Sequence, residues 1–399
     1  MDLEFGVYGN KLSRKVICFT SMMILFCTYP YVFNLFLPLP SITILMIVTI
    51  GLVCLLIGLY KIRIQKIFLS LILIQISAVI VSMIYTRDSE YVKQLLYIIW
   101  LFFFLVMLKY FAGLKFFLYI YNRIITIISV FGAFSFLIVL LTHISPLFEY
   151  TNMDGRPGFF YYLTFTNTKY GSIIRYSGIF DEPGAMASWG IFSLLTNKLW
   201  VKDRKIEPFL IVSLLFTFSM AYYIQLVLYL LFFYFYKLTI KRILSVFFVG
   251  IVFLCLVFQS KDTDLDLYRI SLARFEYDEY TGSLQGNNRK ELTEKTAAIF
   301  KKNPIFGIGP TAFYSMDYMA DNPFEVFAKD GIWGTFFLYL PLFYCLILGR
   351  HHRDILFASF IVLLGYQQRP FHINILHYTM LYLFLFSTYY CYNQKNAVN

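Results

Sequence analysis

The residues best suited to chemistry gather in two polar stretches, 145–182 and 259–330. The first carries Arg156, Lys169, Arg175, Asp181 and Glu182 and closes on RYSGIFDEPG, residues 175–184. Pro183 suits the first turn of a helix, which sets Asp181 and Glu182 near that helix's positive end and gives both acids a structural use. The second holds Asp262, Asp264 and Asp266 as DTDLD, an acidic pattern that in soluble sugar transferases binds a metal and a nucleotide-sugar. Evenly spaced acids more commonly just solvate a loop. The GIGP run at 307–310 reads as a tight turn, because a lone GxG is no phosphate-binding signature. None of the five His residues has a metal-ligand spacing, and His351-His352 sits in a basic turn. With no GxxxxGK[ST] either, the sequence predicts no metal, no other cofactor and no ATP hydrolysis.

Water cannot be the main solvent of the chain that carries these groups. Hydrophobic residues fill 59% of its 399 positions and charged residues 14%, where a soluble domain has roughly a quarter charged. A spanning helix needs about 20 apolar residues, since hydrocarbon offers its backbone no other partners. Such runs lie at 16–36, 40–60, 67–85, 92–108, 124–144, 183–199, 243–258, 331–349, 355–366 and 373–391. The run 206–236 is long enough for two short helices that break near Ser219. Charge decides between one crossing and two. With a cytoplasmic N-terminus, the clusters at Lys61/Arg63/Lys66, Lys109/Lys115/Arg123 and Lys198/Lys202/Arg204/Lys205 all fall inside. Lys237/Lys241/Arg242 and Arg350/Arg353 join them only if 206–236 crosses twice.

The expected fold is therefore all-α: one polytopic membrane domain, 1–399, with about twelve spans, cytoplasmic termini and the two polar stretches as extracytoplasmic loops. More than half of the 34 Lys and Arg residues fall in the short inner segments, so the net charge of +11 is an orientation signal and calls for no nucleic acid. Lys11, Arg14 and Lys15 precede a long apolar run with no small-residue exit, which reads as a retained helix and not a cleaved signal peptide. All six cysteines lie in or at the end of apolar runs, so no disulfide is expected. On the outer side nucleotide-sugars are absent, which leaves DTDLD as a solvating loop. Residues 289–302 alternate apolar and charged positions at helical spacing until Asn303-Pro304, as an amphipathic helix on a membrane surface does.

Several separated stretches together carry a family resemblance: R-x-SGIFDEPG-x-x-A at 175–187, FTFS at 216–219, RISL at 269–272, and NR at 288–289 followed by NPIFGIGP at 303–310. A closing GIWG at 331–334 begins the next span. From Arg175 onwards the chain resembles the O-antigen polymerase (Wzy) family, related to the O-antigen ligases of lipopolysaccharide synthesis. It departs from the ligases at one point: they carry His-Asn shortly before the closing glycines, where this sequence has Asp321-Asn322.

The resemblance implies a metal-independent glycosyltransferase of the bacterial inner membrane. It would join oligosaccharide repeat units carried on undecaprenyl diphosphate at the outer face, with membrane lipid and a chain-length regulator as further partners. An incoming hydroxyl attacks the anomeric carbon and the lipid diphosphate leaves as an anion, which fixed guanidinium groups are suited to meet. Arg175 and Arg289 are the expected diphosphate ligands, with Arg156 and Arg369 as further binding candidates. Glu182 and Asp321 are the carboxylates expected to orient or deprotonate the hydroxyl. The alternatives are an O-antigen ligase and a lipid-linked oligosaccharide flippase. A flippase needs charged or broken helices near the bilayer midplane, whereas the ionisable residues here collect in the loops.

Overall fold

The computed structural model describes residues 11–36, 39–152, 155–170, 173–234, 268, 276–278, 283–284, 290–316, 322–368 and 375–396. They are mostly helical and fall into two compact units. Unit 1 comprises residues 1–121, 196–202 and 291–399, and unit 2 comprises 122–195 and 203–290.

Among the described residues, four helices are long and apolar enough to cross a bilayer: Thr43–Tyr60, Lys66–Thr86, Tyr91–Ala112 and Leu114–Thr142. A fifth candidate is the pair Glu325–Leu338 and Leu340–Gly349, bent by 43° at its break. We label the early helices α1 (Lys11–Phe26), α2 (Leu39–Tyr60), α3 (Lys66–Thr86), α4 (Tyr91–Met107) and α5 (Leu114–Thr142). Helices α2 and α3 are apolar on every side, which suits a lipid or protein interior and not water. The expected run 16–36 is not one helix. It ends after 16 residues at Phe26, turns through Cys27–Tyr31, where Pro30 has no N–H to continue the ladder, and resumes as a 3-10 turn at Val32–Phe36. The 243–258 run lies outside the described residues.

In unit 1, α3 and α4 form a hairpin whose two ends differ in charge. At one end the Lys109 ammonium reaches Gln65 Oε1 and lies 4.7 Å over the ring of Phe386 in the last helix, Ile375–Asn396. Arg14 Nε donates to the Ala112 carbonyl (3.0 Å), and Trp200 packs on Tyr390. At the other end Asp88, in the turn between α3 and α4, accepts from Thr311 Oγ1 (2.6 Å) and Thr311 N–H (2.7 Å).

Unit 2 is organised along α5. The 145–182 stretch, read as a loop, contains a three-stranded antiparallel sheet of β1 (Phe148–Thr151), β2 (Pro157–Tyr161) and β3 (Thr164–Thr166), then a hairpin of β4 (Lys169–Tyr170) and β5 (Ile173–Ile174). Phe148, Phe160 and Phe165 pair in register, with ring centroids 5.0 and 4.6 Å apart, so cross-strand aromatic packing holds the sheet. Helix α6 (Pro183–Thr196) starts at Pro183, as expected. The 206–236 run does break where expected: α7 (Ile206–Leu214) tightens into a 3-10 turn, Phe218 adopts left-handed φ (49°), Ser219 is extended, and α8 (Met220–Phe233) follows. Tyr222 donates to the Ile211 carbonyl, and Tyr229 and Tyr234 both reach Glu207. The second helix therefore folds back along the first.

Candidate functional site

The site in unit 2 is built where a broken helix leaves backbone groups without helical partners. The turn at Thr217–Ser219 frees the Thr217 carbonyl, and Arg175 Nε donates to it at 2.9 Å. Arg175 stays partly exposed. Tyr176 anchors the arginine from the next position: its Oη donates to the Ser213 carbonyl (2.8 Å) and lies 2.8 Å from Ser129 Oγ on α5. Its ring lies so close to Gly132 that no Cβ fits there.

Glu182 and Asp181 are both buried, at 8% and 7% exposure. The β1–β2 turn folds over them: Asn152 Nδ2 donates to the Asp181 carbonyl (3.3 Å), and an Arg156 guanidinium nitrogen stands 3.9 Å from Glu182 Oε2. Arg156 and Glu182 are thus brought together, with Arg156 half exposed. Arg289, Asp321 and Arg369 lie outside the described residues, as do Asp262, Asp264 and Asp266.

The polypeptide around these groups does not stand clear of α5. Ser135 Oγ donates to the Tyr161 carbonyl, Gly132 and Ser129 meet Tyr176, and Ile128 meets Gly178. Those positions lie 7 to 14 residues before Thr142, the last residue of α5. At 1.5 Å per residue the segment runs roughly 10–20 Å back along the helix.

In unit 1 the motifs NPIFGIGP and GIWG are joined. The Glu325–Leu338 helix is interrupted at Gly331 (φ 65°, ψ −170°), and the 304–309 segment lies against the interruption. Ile308 and Gly309 N–H donate to the carbonyls of Ala328 and Lys329, while Ile332 and Trp333 N–H donate to those of Pro304 and Ile305, all at 2.9–3.1 Å. Backbone touches backbone, so neither Gly307 nor Gly331 has room for a Cβ, and both have positive φ that only glycine adopts cheaply. Asn322, fully buried, accepts from Thr296 Oγ1 (2.7 Å) and Phe324 N–H (3.0 Å), tying the segment beside Asp321 to the Lys290–Lys302 helix.

Sequence reasoning missed a charged pair at this interruption. Lys329 is wholly buried, its ammonium 3.5 Å from Asp330 Oδ2, and Asp330 Oδ1 accepts from Tyr91 at 2.8 Å. The signal was present in FEVFAKDG, two charges flush against the closing glycine. Asp88 was missed too. Burial pushes its carboxyl upward, but the hydrogen bonds from Thr311 and the Glu90 N–H outweigh that and hold it below the usual carboxylate range.

Residues 209–339 match the family model described as O-antigen ligase. The match takes in most of α7, all of α8 and the joined NPIFGIGP and GIWG motifs, about a third of the chain, and begins after RYSGIFDEPG. Neither the curated proteins nor the solved structures contain a match. The apolar helices and this match make the chain a membrane protein related to the Wzy and O-antigen ligase family, whose general chemistry is glycosyl transfer.

Proposed function

We propose that the protein is a repeat-unit polymerase of the bacterial inner membrane. It lengthens a surface polysaccharide by transferring a glycan from undecaprenyl diphosphate to the hydroxyl of another lipid-linked unit at the outer face. The observation that carries this reading is Arg175, a partly exposed guanidinium seated on the carbonyl freed by the α7–α8 break. A guanidinium fixed in advance, where the leaving diphosphate develops charge, stabilises the transition state without reorganising. Arg289 is the second diphosphate ligand in this reading. Arg156 and Arg369 assist substrate binding, and Glu182 or Asp321 handles the acceptor proton.

The contact of Asp88 with Thr311 supports the sidedness. It requires an even number of crossings between α4 and Thr311, inclusive of α4. With α7 and α8 returning to the same end, as Glu207 meeting Tyr229 and Tyr234 indicates, the expected count is even. One crossing by 206–236 would make it odd. Segment lengths refine the expectation. The nine helical residues and three-residue turn of α7, and the 14 residues of α8, extend only about 18–21 Å against a core of about 30 Å. We infer a re-entrant hairpin entering from the cytoplasmic side, with the 161–180 segment descending along α5 from the outside to meet it. Irregular backbone at such depth is tolerated when protein buries it or a polar cavity borders it. Cysteines at Lys205 and Tyr234 are expected to react with an impermeant reagent only from the cytoplasmic side. Labelling of either from outside would remove the hairpin.

The family model's own description favours a second reading, a ligase. Asp321 in place of the ligase histidine favours the polymerase. Deleting the gene decides between them, on gels of the cell's lipopolysaccharide. A polymerase deletion leaves lipid A capped with single repeat units, and a ligase deletion leaves it bare.

A further inference from the structure

Unit 1 contains a small chamber that the proposed transfer does not use. It lies where the interrupted Glu325–Leu338 helix passes α3 and α4, and Gln75, Ser82, Tyr91, Gln94, Asp330 and Tyr378 bring polar groups to its wall. The space holds about one water molecule.

The hydrogen-bond inventory around that space does not close. Gln94 Nε2 donates to Tyr378 Oη at 2.8 Å, and the phenol still has its own proton to give, with no acceptor among the described residues. Gln94 Oε1 is buried and accepts from no described residue. Gln94 as a whole is only 6% exposed, so solvent does not satisfy it. Asp330 Oδ1 accepts from Tyr91 and has a further lone pair. Gln75 cannot help. Its Nε2 donates to the carbonyls of Phe337 and Leu338, and its Oε1 accepts from Tyr382.

We propose that the chamber is a binding site for one internal water, which accepts from Tyr378 and donates to Gln94 and Asp330. Three polar partners are what buried waters ordinarily have, and with this one the Tyr378 proton and Gln94 Oε1 both find partners. Glycine at 334 makes the room: a Cβ there would stand 2.5 Å from Asp330 Cβ, so the second glycine of GIWG serves the chamber as the first serves the backbone. Charge selects the ligand. Lys329, its ammonium 3.5 Å from Asp330 Oδ2, already sets a fixed cation beside the chamber, which disfavours a sodium ion there. The bound water ties α4 and the last helix to the interruption at Gly331, a role independent of any glycan chemistry at Arg175.

Infrared spectra of the purified full-length protein in lipid nanodiscs, exchanged between ordinary and ¹⁸O-labelled water, test the site. The wild type is expected to show an isotope-sensitive internal-water stretch that disappears in Gln94→Leu and in Gly334→Ala. No such band in the wild type, or the same band in both variants, overturns the proposal. Gln94→Leu keeps the side-chain volume and does not crowd Asp330, so it remains decisive if Gly334→Ala fails to fold. Melting temperatures in sodium, potassium and choline chloride at equal ionic strength are expected to coincide. A rise specific to sodium would identify the occupant as a cation and refute the water.

Discussion

Arg175 in unit 2 and Lys329 in unit 1 are both cations set among helices, and they are held in opposite ways. Arg175 sits at a complete break, donates to a backbone carbonyl and keeps partial exposure. Lys329 sits two residues before a kink that other backbone has already closed. It is fully enclosed, its ammonium beside the carboxylate of its own chain neighbour and within the field of the buried Glu325. In the proposed function, a helix interruption left open is where a charge meets a ligand. One sealed by a second strand of backbone turns the charge inward, where it holds the fold.

The contrast is broken most sharply at Lys329. Replacing it with Met leaves Asp330 buried without a counter-charge, a loss on the order of 3–5 kcal/mol, and the protein is expected not to accumulate. The double variant Lys329→Met/Asp330→Leu should recover part of the melting temperature, because a buried ion pair and a well-packed apolar pair are of similar stability, while the buried Tyr91 hydroxyl is left without its acceptor. A single variant that melts like the wild type would remove the sealed half of the comparison. Next in size is Gly331→Ala. Strain at φ 65°, ψ −170° costs about 1–3 kcal/mol, and the added methyl meets the Ile305 carbonyl, so a clear drop in melting temperature is expected.

Smaller effects separate the two regions further. Tyr176→Phe removes the hydroxyl that pins Arg175's neighbour to Ser213 and should lower stability by about 1 kcal/mol. Arg156→Ala should change stability by less than about 1 kcal/mol, since its guanidinium is half exposed and 3.9 Å from Glu182. Asp88 gives a pH signature. Its folded carboxyl lies below its ordinary value, so its contribution is present above about pH 4 and is lost as pH falls through the lowered value. Acid melting curves of Asp88→Asn should lack that component.

How far the sequence foretold this depended on the range of the interaction. Helix α5, the stop of the Lys290–Lys302 helix at Asn303-Pro304 and the break near Ser219 follow from local apolar runs, turn residues and the positions of nearby lysines. The sheet of 148–166 was read as loop because its strands are three to five residues long, and their stability comes from rings meeting across strands. Asp330 and Asp88 escaped notice because their partners Tyr91 and Thr311 are 239 and 223 residues away. No local pattern marks a contact of that separation. Of the expected site residues, Arg175, Arg156 and Glu182 fall in one unit, with Arg156 and Glu182 in proximity.

Arg175→Lys is the most direct measurement, because lysine keeps the charge but loses the planar fork that can hold Thr217 and an oxyanion together. With the variant in a deletion strain, polysaccharide ladders and membrane accumulation would be read side by side. The account predicts normal accumulation and loss of long chains, with transfer slowed roughly a hundredfold. Wild-type chain lengths at wild-type protein levels would contradict it.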